Sequence, residues 1–278
     1  MYYNTVLPMF NTLIKSLNKN ISEMGVVMAM KKFMKRCNTK IVIKSNEEID
    51  TVLEKFSGVI VANHPAEADV LAILSAIKNR TDVFLIINSQ IKELIPELDK
   101  HLIPVYISNK ITENWMGRIK LGFLAKIKNL NKYSKEEEHQ KNIASISLAI
   151  EKINKGGLVI IFPSGGDEKH GWFNGIGHLI HGIENKEKSF VIRAHIEGTS
   201  NWDYLRLLPL IGKLLPKFKI SFANPLRVDQ IKMSDPKKTT VSLENNYWNW
   251  IFSVKMWTKL TKNYAWIRML FLFFITKP

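Results

Sequence analysis

Along the middle of the chain, apolar residues come in short runs: 41–43 (IVI), 58–63 (GVIVAN), 83–87 (VFLII), 102–107 (LIPVYI), 157–162 (GLVIIF), 189–196 (SFVIRAHI) and 218–223 (FKISFA). Runs of this length, bounded by Gly, Pro, Asn and charged residues, predict strands buried on both faces. The stretches between them, 46–55, 67–78, 91–98, 136–154, 174–184 and 236–262, are longer and more polar and predict helices. Strands alternating with helices predict an α/β fold, a single domain whose central mixed, mostly parallel sheet is covered by helices. In such a fold, sites form in the loops that leave the strand ends. The KEEEHQK run at 135–141 fits the solvated start of a helix, with acidic groups near its positive end. No internal repeat or low-complexity linker interrupts the pattern.

The two ends of the chain follow a different rule. Val6, Phe10, Leu13, Leu17, Ile21 and Met24 recur at helical spacing, with Lys15 and Lys19 off that stripe. Four of the seven tryptophans (Trp248, Trp250, Trp257, Trp266) fall in the last forty-three residues. Charge separates the same regions: of the formal +15, residues 1–40 carry +6 and residues 236–278 another +6, leaving +3 for everything between. This divides the chain into an N-terminal amphipathic helical segment (1–40), an α/β domain (41–235) and a basic, Trp-rich C-terminal helical segment (236–278). Lysines opposite Trp and Phe suit the plane of an anionic membrane surface. Core-facing helices with solvated lysines would give the same pattern. Bulky apolar residues set both ends apart from basic nucleic-acid tails, so no nucleic-acid partner is expected.

The longest apolar stretch of the C-terminal segment, Met269 to Ile275, is far short of the roughly 20 residues that span a bilayer. With no evident secretory signal, the expected location is peripheral (monotopic), on the cytoplasmic side of a membrane. A length of 278 residues and 46% hydrophobic composition allow a large core. The one cysteine, Cys37, rules out an internal disulfide framework and reads as apolar filling. His178 and His181 could share one helix face as metal ligands. No further residues at ligand spacing join them, and no metal is expected.

Candidate chemistry begins where the second run ends, at VANHPAEAD (61–69). Five residues of continuous helix would place His64 and Asp69 about 140° apart around the axis. Pro65 biases His64 out of the helical region while itself suiting a first helical turn. Asp69 can then turn back to the imidazole, giving a general base with its orienting partner. The alternative is structural: Glu67 and Asp69 favour a helix N-terminus without any catalysis.

A second constellation lies about 100 residues on, where GLVIIF runs into PSGGDEKHG (163–171). Pro163 stops the strand, and Gly165 and Gly166 allow a sharp turn that presents N–H groups to an anion, with Lys169 close by. Together, Asn63-His64-Pro65-Ala66-Glu67-Ala68-Asp69 and Phe162-Pro163-Ser164-Gly165-Gly166 resemble the NHxxxxD and FPEGT-type blocks of the glycerolipid acyltransferases. The PSGG variant looks most like the plastid glycerol-3-phosphate acyltransferases. LIPVYISNK (102–110) resembles their segment between the blocks, and FNGIGHLIHG (173–182) sits where they have an FKRGAA-like helix. The resemblance covers roughly residues 58–225.

The resemblance implies direct transfer of a fatty acyl group from a thioester, acyl-CoA or acyl carrier protein (acyl-ACP), to the hydroxyl of a glycerophospholipid precursor or lyso-lipid. No cofactor is implied beyond that co-substrate. His64 would take the hydroxyl proton and Asp69 would orient it. Gly165, Gly166, Lys169, Lys110 and Arg193 would hold the acceptor's phosphate, with Asn63, Glu67 and Ser164 in support. The chain departs from the plastid pattern where PSGGRDR has two arginines, carrying Asp167 and Lys169 instead. One phosphate-binding charge is thereby inverted, which with the apolar basic ends tilts the expectation toward a membrane-bound lyso-lipid acceptor. Two other classes remain open: a serine-hydrolase-like esterase using Ser164, although Phe162 stands where the first glycine of G-x-S-x-G belongs, and a non-catalytic membrane-surface lipid binder.

Overall fold

The computed structural model describes residues 3–64, 66, 68–89, 92, 95–106, 133–165, 171–207 and 211–254, with side chains from residue 12 onward in the first helix. The chain opens with two helices, α1 (Tyr3–Met24) and α2 (Val26–Arg36), and then alternates. β1 (Ile41–Lys44), α3 (Glu47–Lys55), β2 (Ser57–Ala62), α4 (Asp69–Ala76) and β3 (Val83–Asn88) follow in order. Next come α5 (Pro96–Asp99), β4 (Leu102–Val105), α6 (Lys135–Asn154), β5 (Leu158–Ile161), α7 (Gly175–Gly182) and β6 (Ser189–Glu197). Two 3-10 turns (Asp203–Leu207, Ile211–Lys213), β7 (Phe218–Phe222), β8 (Leu226–Arg227), α8 (Val228–Ile231) and α9, over 236–254, complete the described residues.

The strands form one sheet in the order β1-β7-β6-β2-β5-β3-β4, with β8 paired to β6. Every pairing is parallel except β6 with β7 and β6 with β8. The fold is therefore α/β with a mixed, mostly parallel sheet, and all seven apolar runs read from the sequence are strands. β8, α8 and the two 3-10 turns were not foreseen. They are too short to leave a periodic signal.

Local sequence explains where the helices start. Asn46 accepts the Ile49 N–H at 2.9 Å ahead of three acidic residues in the first turn of α3, and Ser134 with Glu137 forms a capping box at α6. Alternation along the central strands then fills two cores. Ile60, Ala62, Ile160 and Ile192 face α1 to α4, while Val59, Val61, Val159 and Val191 face α6, α7 and α9.

Both terminal segments contribute to these cores. On α1, Leu13, Leu17 and Ile21 are buried and Met24 packs beside them, so this part of the N-terminal stripe is turned into the protein. Val6 and Phe10 lie outside the described side chains. On α9, Leu243, Tyr247 and Ile251 are buried against the other face of the sheet.

One side chain ties the N-terminal ends of the central strands together. Arg80 is 7% exposed and donates to the carbonyls of Phe56, Leu53 and Gly156 while chelating the Asp82 carboxylate. Those partners stand just before β2, β5 and β3. The C-terminal ends of the same strands carry no such clamp from Arg80.

Candidate active site

β2 and β5 are neighbours in parallel register, so the loops leaving their C-terminal ends meet. β2 is followed by His64 and β5 by Phe162. The imidazole stacks on the Phe162 ring at 4.6 Å between centroids, with the planes 28° apart.

His64 Nδ1 lies 3.2 Å from Oδ2 of Asp69. The same oxygen accepts the backbone N–H of Ala66 at 2.7 Å. Asp69 is fully buried at the first residue of α4, while 25% of the His64 side chain reaches solvent. A carboxylate can only accept, so in the neutral imidazole the proton sits on Nδ1 and the lone pair on Nε2. Such an arrangement can act as a base, its Nε2 on the far side of the ring from a buried, anchored carboxylate. Asp69 Oδ1 has no hydrogen-bond partner among the described residues.

Asn63 secures the strand exit from the side. Its amide accepts the Ile196 N–H at 2.7 Å and donates to the Ile196 carbonyl at 3.0 Å, extending the β2–β6 pairing through a side chain. Its partner stands 133 positions away in the sequence.

After β5, the Gly165 N–H donates to the Phe162 carbonyl at 3.0 Å, closing a tight turn. Gly165 has φ +61, which favours glycine, and a Cβ there would press on the Phe173 ring at 3.0 Å. The Phe173 N–H returns to the Pro163 carbonyl at 3.0 Å. Ser164 is buried within this turn, unlike a nucleophile presented at an exposed elbow. Glu67, Lys110, Gly166 and Lys169 lie outside the described residues.

Arg193 corrects the sequence expectation. It points into the opposite layer from His64, because on β6 odd-numbered residues face α9 and even-numbered ones face α4. Its guanidinium donates to Asn246 Oδ1 and, at 3.0 Å, to the Asn224 carbonyl, and lies 5.8 Å from the Trp250 ring. Burial pulls its pKa below the usual guanidinium range. The residue fastens α9 to the sheet and is not brought to His64. The sequence could not reveal this, because strand alternation fixes a side chain's face only once the register is known.

The sequence alone points to no role for Phe162, which the structure places against the His64 ring. The one hint is its place: an aromatic residue at the last position of a buried strand, in the loop layer where the candidate base emerges.

Residues 40–181, just over half of the chain, match the family model described as Acyltransferase. The chain belongs to the acyltransferase family. The match spans both loops of the site and the strands that carry them. Among solved structures, the chain is similar to the 1-acyl-sn-glycerophosphate (LPA) acyltransferase PlsC from Thermotoga maritima, at 16% identity and a TM-score of 0.43, covering 88% of this chain and 91% of that one. No curated protein matches.

Among the described residues, no helix is long and apolar enough to cross a membrane, and no three His, Cys, Asp or Glu side chains group as metal ligands.

Proposed function

We propose that this acyltransferase moves a fatty acyl group from an acyl thioester, on CoA or acyl carrier protein, to the hydroxyl of a lyso-lipid or glycerophospholipid precursor. The observation that supports this reading best is the His64–Asp69 pair, 3.2 Å apart, with its carboxylate fully buried and held by the Ala66 N–H.

In the proposed reaction, Nε2 of His64 takes the acceptor's hydroxyl proton as the oxygen attacks the thioester carbonyl. The C–O bond forms, the tetrahedral intermediate collapses, the C–S bond breaks, and the imidazolium returns its proton to the leaving thiolate. Asp69 holds the tautomer and stabilises the transient cation, a contribution of about 10²–10⁴ in rate for a positioned base. No acyl-enzyme forms. The acceptor's phosphate would lie at the Gly165–Gly166 turn with Lys169 and Lys110 as cations, since a dianion is best held by backbone donors and fixed charge. A lyso-lipid acceptor is drawn from a bilayer, so the enzyme would work peripherally at an anionic membrane surface, without a metal or further cofactor.

An acceptor screen tests this. Glycerol 3-phosphate, 1-acyl-glycerol 3-phosphate and other lyso-lipids are offered with labelled acyl-CoA or acyl-ACP, using His64→Ala beside the native chain. Label in a diacyl product with the native chain, and its loss in the variant, is the expected result. Equal transfer by both proteins would remove His64 from the mechanism, and a stable acyl adduct on Ser164 would replace direct transfer with a hydrolase-like route.

A further inference from the structure

From Leu13 to Ile21 the apolar face of α1 is turned into the protein, while residues 255–278 lie outside those described, and the described residues offer other exposed apolar surfaces. One lies at the same end of the sheet as His64. β6 runs parallel to β2, and the chain leaving β6 makes the two 3-10 turns before returning to β7. On these turns Trp202 is 50% exposed, Tyr204 42% and Leu214 84%, the highest exposure of any large apolar residue described. Scattered apolar residues are ordinary on a surface, but here the Trp202 and Tyr204 rings lie 6.1 Å apart and Leu214 stands on the adjoining turn. Phe173, 62% exposed beside Gly165, adds a fourth apolar side chain at this end.

The patch is built rather than loose. Arg206 and Asp203 form a buried ion pair at 2.8 Å within the first turn. Arg206 also donates to the Pro216 carbonyl at 2.6 Å and the Gly212 carbonyl at 3.4 Å, and lies over the Phe218 ring at 4.2 Å. One buried cation therefore binds the Trp202–Tyr204 turn to the Leu214 turn. Gly212 in turn packs so closely on the Cys37 carbonyl that a Cβ would stand 1.8 Å from it, which locks the turns to the end of α2. An ordered framework holding its apolar side chains outward has lost little entropy still to be given up on docking.

Charge selects the occupant. Asp203 and Arg206 cancel one another, leaving Lys213 and Lys217 exposed beside Leu214, with Lys35 and Arg36 exposed at the adjoining end of α2. Amphipathic aromatics next to lysines match the headgroup region of an anionic bilayer, where each lysine adds about fivefold to binding. We propose that the Trp202–Tyr204 and Leu214 turns dock onto an anionic phospholipid surface and set the His64 end of the sheet against it. This deepens the lipid-acceptor reading above and rests on it for its biological sense, but vesicle binding can be measured without catalysis.

The test uses the full chain and vesicles of phosphatidylcholine with or without phosphatidylglycerol. Trp202→Ser with Leu214→Ser is expected to weaken flotation with anionic vesicles about tenfold, and Lys213→Glu with Lys217→Glu to do the same with the apolar residues intact. Ile143→Ser, an equally exposed change on α6, is the control and is expected to float as the native chain does. Acyl transfer to a lyso-lipid acceptor embedded in vesicles should fall with flotation, while transfer to a dispersed short-chain acceptor stays unchanged. Native flotation by both double variants, each with its circular dichroism intact, overturns the proposal. So does a native dimer that the variants lose without any change in vesicle binding, because the patch would then face a second copy. If no acceptor is acylated by any of the proteins while flotation still separates them, the catalytic reading falls and the docking surface stands.

Discussion

The rings of His64 and Phe162 are stacked 4.6 Å apart, joining the exit of β2 to the exit of β5 across nearly a hundred residues of sequence. The contact fixes the plane of the imidazole, while Asp69 fixes its rotation within that plane. Phe162→Leu keeps an apolar filler but removes the flat support. We expect kcat to fall about 10- to 100-fold with little change in KM, since a small misplacement of a catalytic group acts on the transition state. Steady-state kinetics on vesicle-embedded acceptor would measure this split. A raised KM with kcat unchanged would mean that the ring binds substrate instead.

Asp69→Asn preserves volume at a fully buried position and removes the charge held against the His64 imidazole, which tests the proposed mechanism. Activity should drop about 10²–10⁴-fold. Because the Ala66 N–H can still donate to the amide oxygen, the thermal melt should change little. Differential scanning calorimetry beside the activity assay checks both halves.

Asn63→Ala strips two hydrogen bonds from Ile196 and leaves a buried N–H and carbonyl unmatched. The cost should be about 1–3 kcal/mol in urea unfolding, with a loss of activity, since the same strand exit carries His64. A variant with native stability would show that water or a neighbouring group replaces the amide.

Arg206→Ala leaves Asp203 as a buried charge without its partner. A loss of about 3–5 kcal/mol is expected. Asp203→Asn with Arg206→Met, which removes both charges, should recover most of it. Urea titration of the single and double variants provides the comparison.

Cys37 gives a spectroscopic handle on the same region. Burial pushes its thiol pKa up, against a smaller downward pull from Arg36 and Arg206, so at pH 8 it stays a thiol and out of reach. Labelling with a disulfide reagent should be slow in the native protein and fast in urea. Fast native labelling would mean that the junction of α2 with the Gly212 turn opens readily.

Much of this was legible in advance, for identifiable reasons. Strands buried on both faces leave continuous apolar runs, and all seven runs are strands, although β1, at the sheet edge, leaves Val42 and Ile43 exposed instead of burying both faces. The His64–Asp69 pairing was also within reach, because Pro65 and five residues of spacing constrain it locally. What escaped was relational. Phe162 gains its meaning from the adjacency of β2 and β5, Asn63 from a backbone partner on β6, and Arg193 from the face that register assigns to it. The α1 stripe was correctly periodic, yet period alone does not say whether a helix faces lipid or its own sheet. Between Leu13 and Ile21 it faces the sheet.

Arg80 gathers the entrances of β2, β3 and β5 with a single guanidinium, at the edge of the sheet remote from His64. The rim that carries His64 is held instead by several contacts, among them Asn63 to Ile196 and His64 on Phe162. A change at Arg80, far from His64, would loosen the starts of three strands at once.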